Sequence, residues 1–280
     1  MHFLMIIVAL TVAYCLRSQW TLISGNWSQR WQYTIFFFLF PPLIILTTAI
    51  ALLCMGSQGQ MGYWHTSRFG YLFALASLCA ALFLFIFLLL QGWKSIQAAC
   101  RNPQVNIGGQ KVRLLGIDSL FAGQIGFWKP QLVVSKGLID SFSPEHLETV
   151  LAHEEGHYHY RDTFWFFCLG WVRSCTCWLP NTKALWEELL VLRELRADAY
   201  AALRVDPLLL AESLLMVVSN CNLSSEKSCC AALADAAEGD RLEQRIDALL
   251  SQPSVILENN ISWNPFAFAF LPLVTVLFHT

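Results

Sequence analysis

Residues 143–157 read SPEHLETVLAHEEGH, and the way this stretch folds governs the reading of the rest of the chain. Ser143 can accept hydrogen bonds from the free N–H groups of a first helical turn. Pro144 suits the first helical position, and Glu145 complements the positive end of the helix dipole. A helix is therefore expected to start here. Leu147, Val150 and Leu151 supply the apolar spacing of a half-buried helix. The helix then presents His153 and His157 four residues apart, on one face and about one turn from each other, so both imidazoles can reach one metal ion. Glu154 sits beside that ion, placed to act as a base. With 7 His in 280 residues, a chance HExxH is on the order of a one-in-a-hundred event.

A hydrolytic zinc site takes three protein ligands and leaves a fourth position open. Glu194 is the best third ligand. It lies in Trp186–Leu203, a Leu-, Glu-, Ala- and Arg-rich stretch that reads as a second helix. Glu194 and Asp198 are again four apart and share a face. Glu194 would bind Zn²⁺ while Asp198 accepts the spare ring N–H of a ligand histidine and fixes its tautomer. His159 points off the ligand face, and His146, upstream, cannot converge with the pair.

The composition places such a site near a membrane. Hydrophobic residues make up 56% of the chain and charged residues 14%, too apolar for an ordinary soluble domain of this size. Residues 34–54 and 69–91 are long, nearly uncharged runs, each able to cross the hydrocarbon core. Residues 3–23 read as an uncleaved first span interrupted by Arg17. A signal peptide is the competing reading, but no Lys or Arg precedes the apolar run. Pro41 and Pro42 predict a kink in the second span. Residues 263–278 read as a short fourth span or a re-entrant segment, weakened by Pro265 and Pro272. The apolar stretch Thr163–Leu179 continues the metal-binding helix and is expected to pack against the spans or lie at the membrane surface.

Arg17 and Arg30 in the first loop, with Lys94, Arg101, Lys111 and Arg113 after the third span, place the first loop and the catalytic region on the cytoplasmic side. The ten cysteines are scattered through apolar segments, without the spacing of a zinc knuckle. A net charge of −2 and the lack of a basic cluster argue against nucleic-acid binding. The β-rich stretch lies between the third span and the metal-binding helix. Val105–Ile107 and Lys111–Leu115 flank Gly108-Gly109, a hairpin signal, and Gln131–Ser135 reads as a further strand.

With HExxH and a later ExxxD in hand, the chain resembles the gluzincin-type membrane metallopeptidases over roughly residues 94–250. Two branches are similar: the BlaR/MecR antibiotic-sensing signal transducers, and the HtpX and CAAX-prenyl-peptidase family. The resemblance is carried by Ser119-Leu120-Phe121-Ala122-Gly123, Lys129-Pro130-Gln131-Leu132-Val133-Val134, Gly137-Leu138-Ile139 and the Ser143-Pro144-Glu145 helix start. Arg161 and Asp162 match the BlaR/MecR branch. HtpX proteins commonly carry a His-Pro six residues ahead of an Arg-Ile pair; here the pair is Arg245-Ile246 and the position is Gly239, which favours BlaR/MecR. The antibiotic sensors carry a penicillin-binding domain after the last span, and the sequence to Thr280 holds none. Direct β-lactam sensing is not expected.

The apolar runs and the resemblance together imply a mostly α membrane protein: about three N-terminal transmembrane helices in residues 1–93, read from the apolar runs, a gluzincin-like α+β zinc peptidase domain with a small sheet in 94–258, and a C-terminal transmembrane or re-entrant segment in 259–280. The resemblance also implies that Ser119–Gly123 is an edge strand beside the metal, to which an extended substrate adds by backbone hydrogen bonds; plain sheet core is the competing reading. Asp198, Arg245 and Asp162 are candidates for supporting the ligands or steadying an oxyanion, and a salt bridge from Arg245 to Asp198 or Asp247 is an equal reading. The function expected is a zinc endopeptidase in a bacterial-type cell membrane that cleaves a protein, such as a transcriptional repressor, at the cytoplasmic face. The alternatives are an HtpX-type quality-control peptidase and a non-catalytic sensor or scaffold tied by zinc.

Overall fold

The computed structural model describes residues 2–56, 60–61, 64–65, 68–223, 238–251 and 264–278. They are mostly helical with a small mixed sheet, and they divide into two compact units. The first comprises Met1–Leu89, Leu169–Leu190 and Asn260–Thr280; the second comprises Leu90–Cys168 and Val191–Asn259.

The first unit holds the apolar helices. Helix α2 (Trp27–Met55) starts at Asn26, whose side chain accepts from the Gln29 amide, and continues through Pro41 and Pro42. Helix α3 (Arg68–Cys100) extends beyond this unit, and among the described residues α2 and α3 are the two helices long and apolar enough to cross a membrane. Three N-terminal spans were expected; the first of them, α1 (His2–Ser18), is an apolar helix of 17 residues, shorter than the expected run to residue 23. It stops where Arg17, fully buried, donates to Thr182 Oγ1 and the Phe38 carbonyl at 3.1 Å each. A buried guanidinium needs such acceptors, so the chain turns there instead of continuing to residue 23.

The C-terminal segment, expected as a short fourth span or a re-entrant segment, is not one continuous α-helix. It forms a 3-10 turn (Asn264–Phe270), the short helix α10 (Leu271–Val274) and another 3-10 turn (Thr275–Phe278). Pro265 and Pro272 deny the amides that an uninterrupted helix would use. The segment is tied to α2 by Thr47 Oγ1, which donates to the Ala269 carbonyl at 2.6 Å. In the same unit Trp171 Nε1 donates to the Ala81 carbonyl of α3 at 2.8 Å.

The second unit is built on the sheet β3 (Gln104–Ile107), β4 (Gln110–Leu115), β6 (Gln131–Ser135) and β5 (Ala122–Ile125), in that spatial order. Gly108 and Gly109 both take positive φ, 55° and 79°, as a two-residue hairpin turn between β3 and β4 requires. β4 and β6 pair in parallel and the other neighbours antiparallel, leaving β5 at an edge. The expected edge strand Ser119–Gly123 is therefore shifted: only Ala122 and Gly123 fall in β5. The reason lies at Ser135, whose hydroxyl accepts from the Phe121 amide and whose amide donates to the Phe121 carbonyl. That side-chain bond closes the end of the ladder, so Ser119 and Leu120 lie outside it.

Val112, Leu132, Val134, Leu138, Phe142 and Leu151 form the core between the sheet and helix α5 (Pro144–His159). Short helix α4 (Lys136–Ser141) follows β6 directly, capped by Ser135. Ser143 caps α5 by accepting from the His146 amide, with Pro144 in the first turn. Helices α6 (Asp162–Cys175), α7 (Thr182–Ala201), α8 (Pro207–Leu223) and α9 (Glu238–Ser251), and in the first unit the short antiparallel pair β1 (Gln60–Met61) and β2 (Trp64–His65), complete the described elements. α8 is fastened to α5 by the buried pair of hydroxyls Thr149 and Ser213, 2.7 Å apart.

Candidate metal centre

Gly156, inside the HEEGH motif, sets the geometry of the site. A Cβ at this position would lie 3.1 Å from both Cα and the carbonyl oxygen of Ala197. The missing side chain lets α5 and α7 touch backbone to backbone. Ala197 lies between Glu194 and Asp198, so this crossing carries both carboxylates to the histidine face of α5.

The result is a convergent set of three ligand atoms. His153 Nε2 and His157 Nε2 are 3.1 Å apart. Glu194 Oε2 is 3.3 Å from His153 Nε2, and Glu194 Oε1 is 3.6 Å from His157 Nε2. His153, His157 and Glu194 form the one group of three potential ligands found among the described residues. Ligands about 2.0–2.2 Å from a tetrahedral zinc ion stand roughly 3.3–3.5 Å from one another, so the donor set fits zinc in kind and in spacing.

Behind each imidazole stands a buried aspartate, and behind each aspartate an arginine. His153 Nδ1 lies 2.8 Å from Asp198 Oδ1. Asp198, 1% exposed, accepts from Arg245 Nε at 2.7 Å and Nη2 at 2.8 Å. His157 Nδ1 lies 2.8 Å from Asp162 Oδ2, and Asp162 accepts from Arg196 Nη2 at 2.5 Å. A carboxylate on Nδ1 holds the proton there and turns the Nε2 lone pair toward the ligand position. The two chains run His153–Asp198–Arg245 and His157–Asp162–Arg196. Arg245 thus engages Asp198, one of the two partners named for it; its remaining Nη1 is 3.6 Å from Glu194 Oε2, beyond hydrogen-bond range.

The charges follow from this packing. Burial opposes the His153 imidazolium, but Asp198 and Glu194 outweigh it and lift its pKa to about 10. His157 is raised in the same way: burial and His153 oppose the charge, and Glu194 and Asp162 prevail. Burial alone would raise Glu194, yet Arg193 and the two imidazoles hold it well below the usual carboxylate range. Asp198 is lowered against its burial by Arg245 and His153. Asp198 and Glu194 thus favour the charged form of His153, while the arginines and imidazoles around them favour the ionised carboxylates.

Glu154 is 7% exposed and lies on the same helix, between the two histidines. Its backbone carbonyl accepts from Gln124 Nε2 at 3.2 Å, so the edge strand β5 meets the helix at the turn that carries this carboxylate. His146 instead accompanies Ser143 and Glu212, and His159 stacks on Tyr200; neither joins the three ligands. Sequence reasoning missed Gly156, Arg193, Arg196 and Gln124. Gly156 carried the one readable signal, a glycine in the middle of a helix where it costs about 1 kcal/mol relative to alanine.

No curated protein and no solved structure matches the chain. Residues 106–219, which carry β4 to β6, the HExxH helix, Glu194 and Asp198, match the family model described as Peptidase family M48, and this part of the chain is similar to a metallopeptidase domain.

Proposed function

We propose that the protein is a membrane-bound, zinc-dependent endopeptidase that cleaves a polypeptide at the cytoplasmic face of the membrane. The observation that carries this reading is the convergence of His153, His157 and Glu194 within 3.6 Å, with Glu154 on the same helix between the histidines. The match to a peptidase family over residues 106–219 supports the chemistry, and the long apolar helices α2 and α3 support the membrane setting.

His153, His157 and Glu194 would hold the metal, which when bound supplies Lewis acidity that polarises a carbonyl and eases deprotonation of water. Glu154 takes a proton from the attacking water on its carboxylate and delivers it to the leaving nitrogen of the scissile amide. Asp198 and Asp162 keep Nδ1 of the two imidazoles protonated, with Arg245 and Arg196 keeping those aspartates ionised. The edge strand β5 would align an extended substrate through backbone hydrogen bonds, which need no particular side-chain sequence. An ionisable carboxylate in Glu154's position favours catalysis over a scaffold role, since a purely structural zinc site needs no base.

The substrate proposed is a cytoplasmic protein such as a transcriptional repressor, as the likeness of Arg161-Asp162 and of the helix start to the BlaR/MecR branch suggests. Asp162 backs His157 directly, which gives that likeness a chemical content. The test is Glu154→Gln in full-length protein: zinc content stays at wild-type level and cleavage of a cytoplasmic protein library, followed by mass spectrometry, is lost. Undiminished cleavage removes Glu154 from the mechanism. Cleavage of unfolded proteins at large, with no discrete native target, assigns the quality-control role instead.

A further inference from the structure

The β5–β6 hairpin ends in Gly126-Phe127-Trp128-Lys129-Pro130, a tip whose position is tightly fixed. Gly126 has φ 147° and leaves only 2.7 Å between a built Cβ and Pro130 Cα, so the turn requires glycine. Phe127 lies against Gly92 of α3 so closely that a Cβ there would stand 2.4 Å from its ring. On the other side the Phe127 carbonyl accepts from Thr163 Oγ1 at 3.0 Å, and its ring meets Phe167 at 4.6 Å.

Gly92 has a known chemical address. It follows directly the uncharged run of α3 that ends at Gln91, and Trp93 and Lys94 come next. The hairpin tip is therefore clamped to α3 at the point where the apolar helix gives way to polar sequence. Around that clamp stand three tryptophans that the folded unit leaves more than half exposed: Trp93, Trp128 and Trp165. Each has a basic neighbour, respectively Lys94, Lys129 and Arg161, all exposed. The Arg161 guanidinium lies 4.2 Å over the Trp128 ring, and Trp128 meets Phe164 edge-on at 5.1 Å. Exposed tryptophans flanked by Lys and Arg match the headgroup layer, where the indole ring suits the apolar boundary and the cation reaches the phosphates.

We infer that the β5–β6 hairpin tip and the start of α6 form a second contact with the bilayer interface, with Trp128 in the headgroup layer and Lys129 and Arg161 on anionic lipid phosphates. This rests on the membrane-peptidase reading above and deepens it. β5 is the strand edge offered to substrate, and Gly123 to Trp128 spans at most about 17 Å at ~3.3 Å per residue. A polypeptide paired with β5 would then lie within about that distance of the membrane surface, so the substrate class is a juxtamembrane or membrane-apposed segment.

The experiment uses full-length protein in nanodiscs of phosphatidylethanolamine and phosphatidylglycerol, with the photo-crosslinking residue benzoylphenylalanine placed singly at position 128, 129, 83 or 203. Phe83 is an exposed position on α3, and Leu203 is an exposed position after α7. Mass spectrometry is expected to find lipid adducts at 83 and at 128 and none at 203, with position 129 repeating the result if the Trp128 replacement fails to fold. Lipid adducts at 83 but none at 128 or 129 overturn the inference and leave the membrane reading standing. An adduct to a second copy of the chain at 128 without lipid, or equal lipid labelling at 203, overturns it as well. No lipid adduct at 83 overturns the membrane reading itself.

Discussion

Replacing Gly156 by alanine separates the proposed metal site from an ordinary helix crossing, because the two readings predict opposite signs. In an unconstrained helix interior, Gly→Ala stabilises by about 1 kcal/mol. Here the new Cβ would stand 3.1 Å from two backbone atoms of Ala197 and 3.4 Å from its Cβ. Ordinary contact begins near 3.4 Å, so α7 must retreat by about 0.3 Å or more, and backbone atoms cannot rotate away as a side chain can. Glu194 and Asp198 move with Ala197, whereas a metal site tolerates only about ±0.2 Å in its ligand distances. Overpacking of this kind costs about 1–3 kcal/mol, which cancels or exceeds the helix gain. Gly156→Ala is expected to leave metal-free stability level or lower and to weaken zinc binding by about tenfold or more, equivalent to about 1.4 kcal/mol. The assay is chelator competition for zinc, with thermal unfolding in detergent with and without metal. Gly170→Ala is the control: its Cβ would meet only Trp186, at an ordinary 3.9 Å, and it should stabilise without touching zinc affinity. Wild-type zinc affinity in Gly156→Ala, together with about 1 kcal/mol of added stability, would refute the close approach as the determinant of the site.

Asp198→Asn keeps the shape of the side chain but removes the charge that Arg245 and His153 share. Zinc affinity should fall about 10–100-fold, and Asp162→Asn should act independently through His157; chelator competition on both variants and their double mutant checks this, and unchanged affinity in Asp198→Asn would exclude it as the support of His153. Zinc binding near neutral pH should release at least one proton, because His153 in the metal-free site is lifted to about 10 and must give up its Nε2 proton to become a ligand. Calorimetry in buffers of different ionisation heat measures that release, and a value near zero would show that the imidazoles are already neutral. The linked stability runs the same way: the metal-free protein holds the His153 contribution fully below about pH 6.5 and loses it as pH rises through about 10. The depressed Glu194 and Asp198 contribute above about pH 4 and lose that contribution as pH falls through their lower folded values.

The site was legible where one short segment determines it and illegible where two segments must meet. Ser143-Pro144 marks a helix start because capping is a matter of three consecutive residues, and the i, i+4 spacing of His153 and His157 fixes a shared face by helix geometry alone. Gly108-Gly109 and Gln131–Ser135 were readable for the same reason, since turn chemistry and a short β-branched run are local signals. Glu194 and Asp198 could be chosen only because a metal site needs a third ligand. Nothing local to α7 distinguishes them from a solvated charge pattern. The feature that brings them into place is the contact between Gly156 and Ala197, two small residues about 40 positions apart, and its necessity appears only when the backbones are seen to touch. The arginines follow the same logic: Arg196 and Arg245 acquire meaning from Asp162 and Asp198, which acquire theirs from the histidines. The end of α1 was illegible for a related reason. Hydropathy registers Arg17 as a single interruption, but a buried guanidinium recruits Thr182 and the Phe38 carbonyl, and those distant acceptors decide where α1 ends. Each such error lies at a residue whose partners are far away in sequence, where pattern carries no information and only packing does.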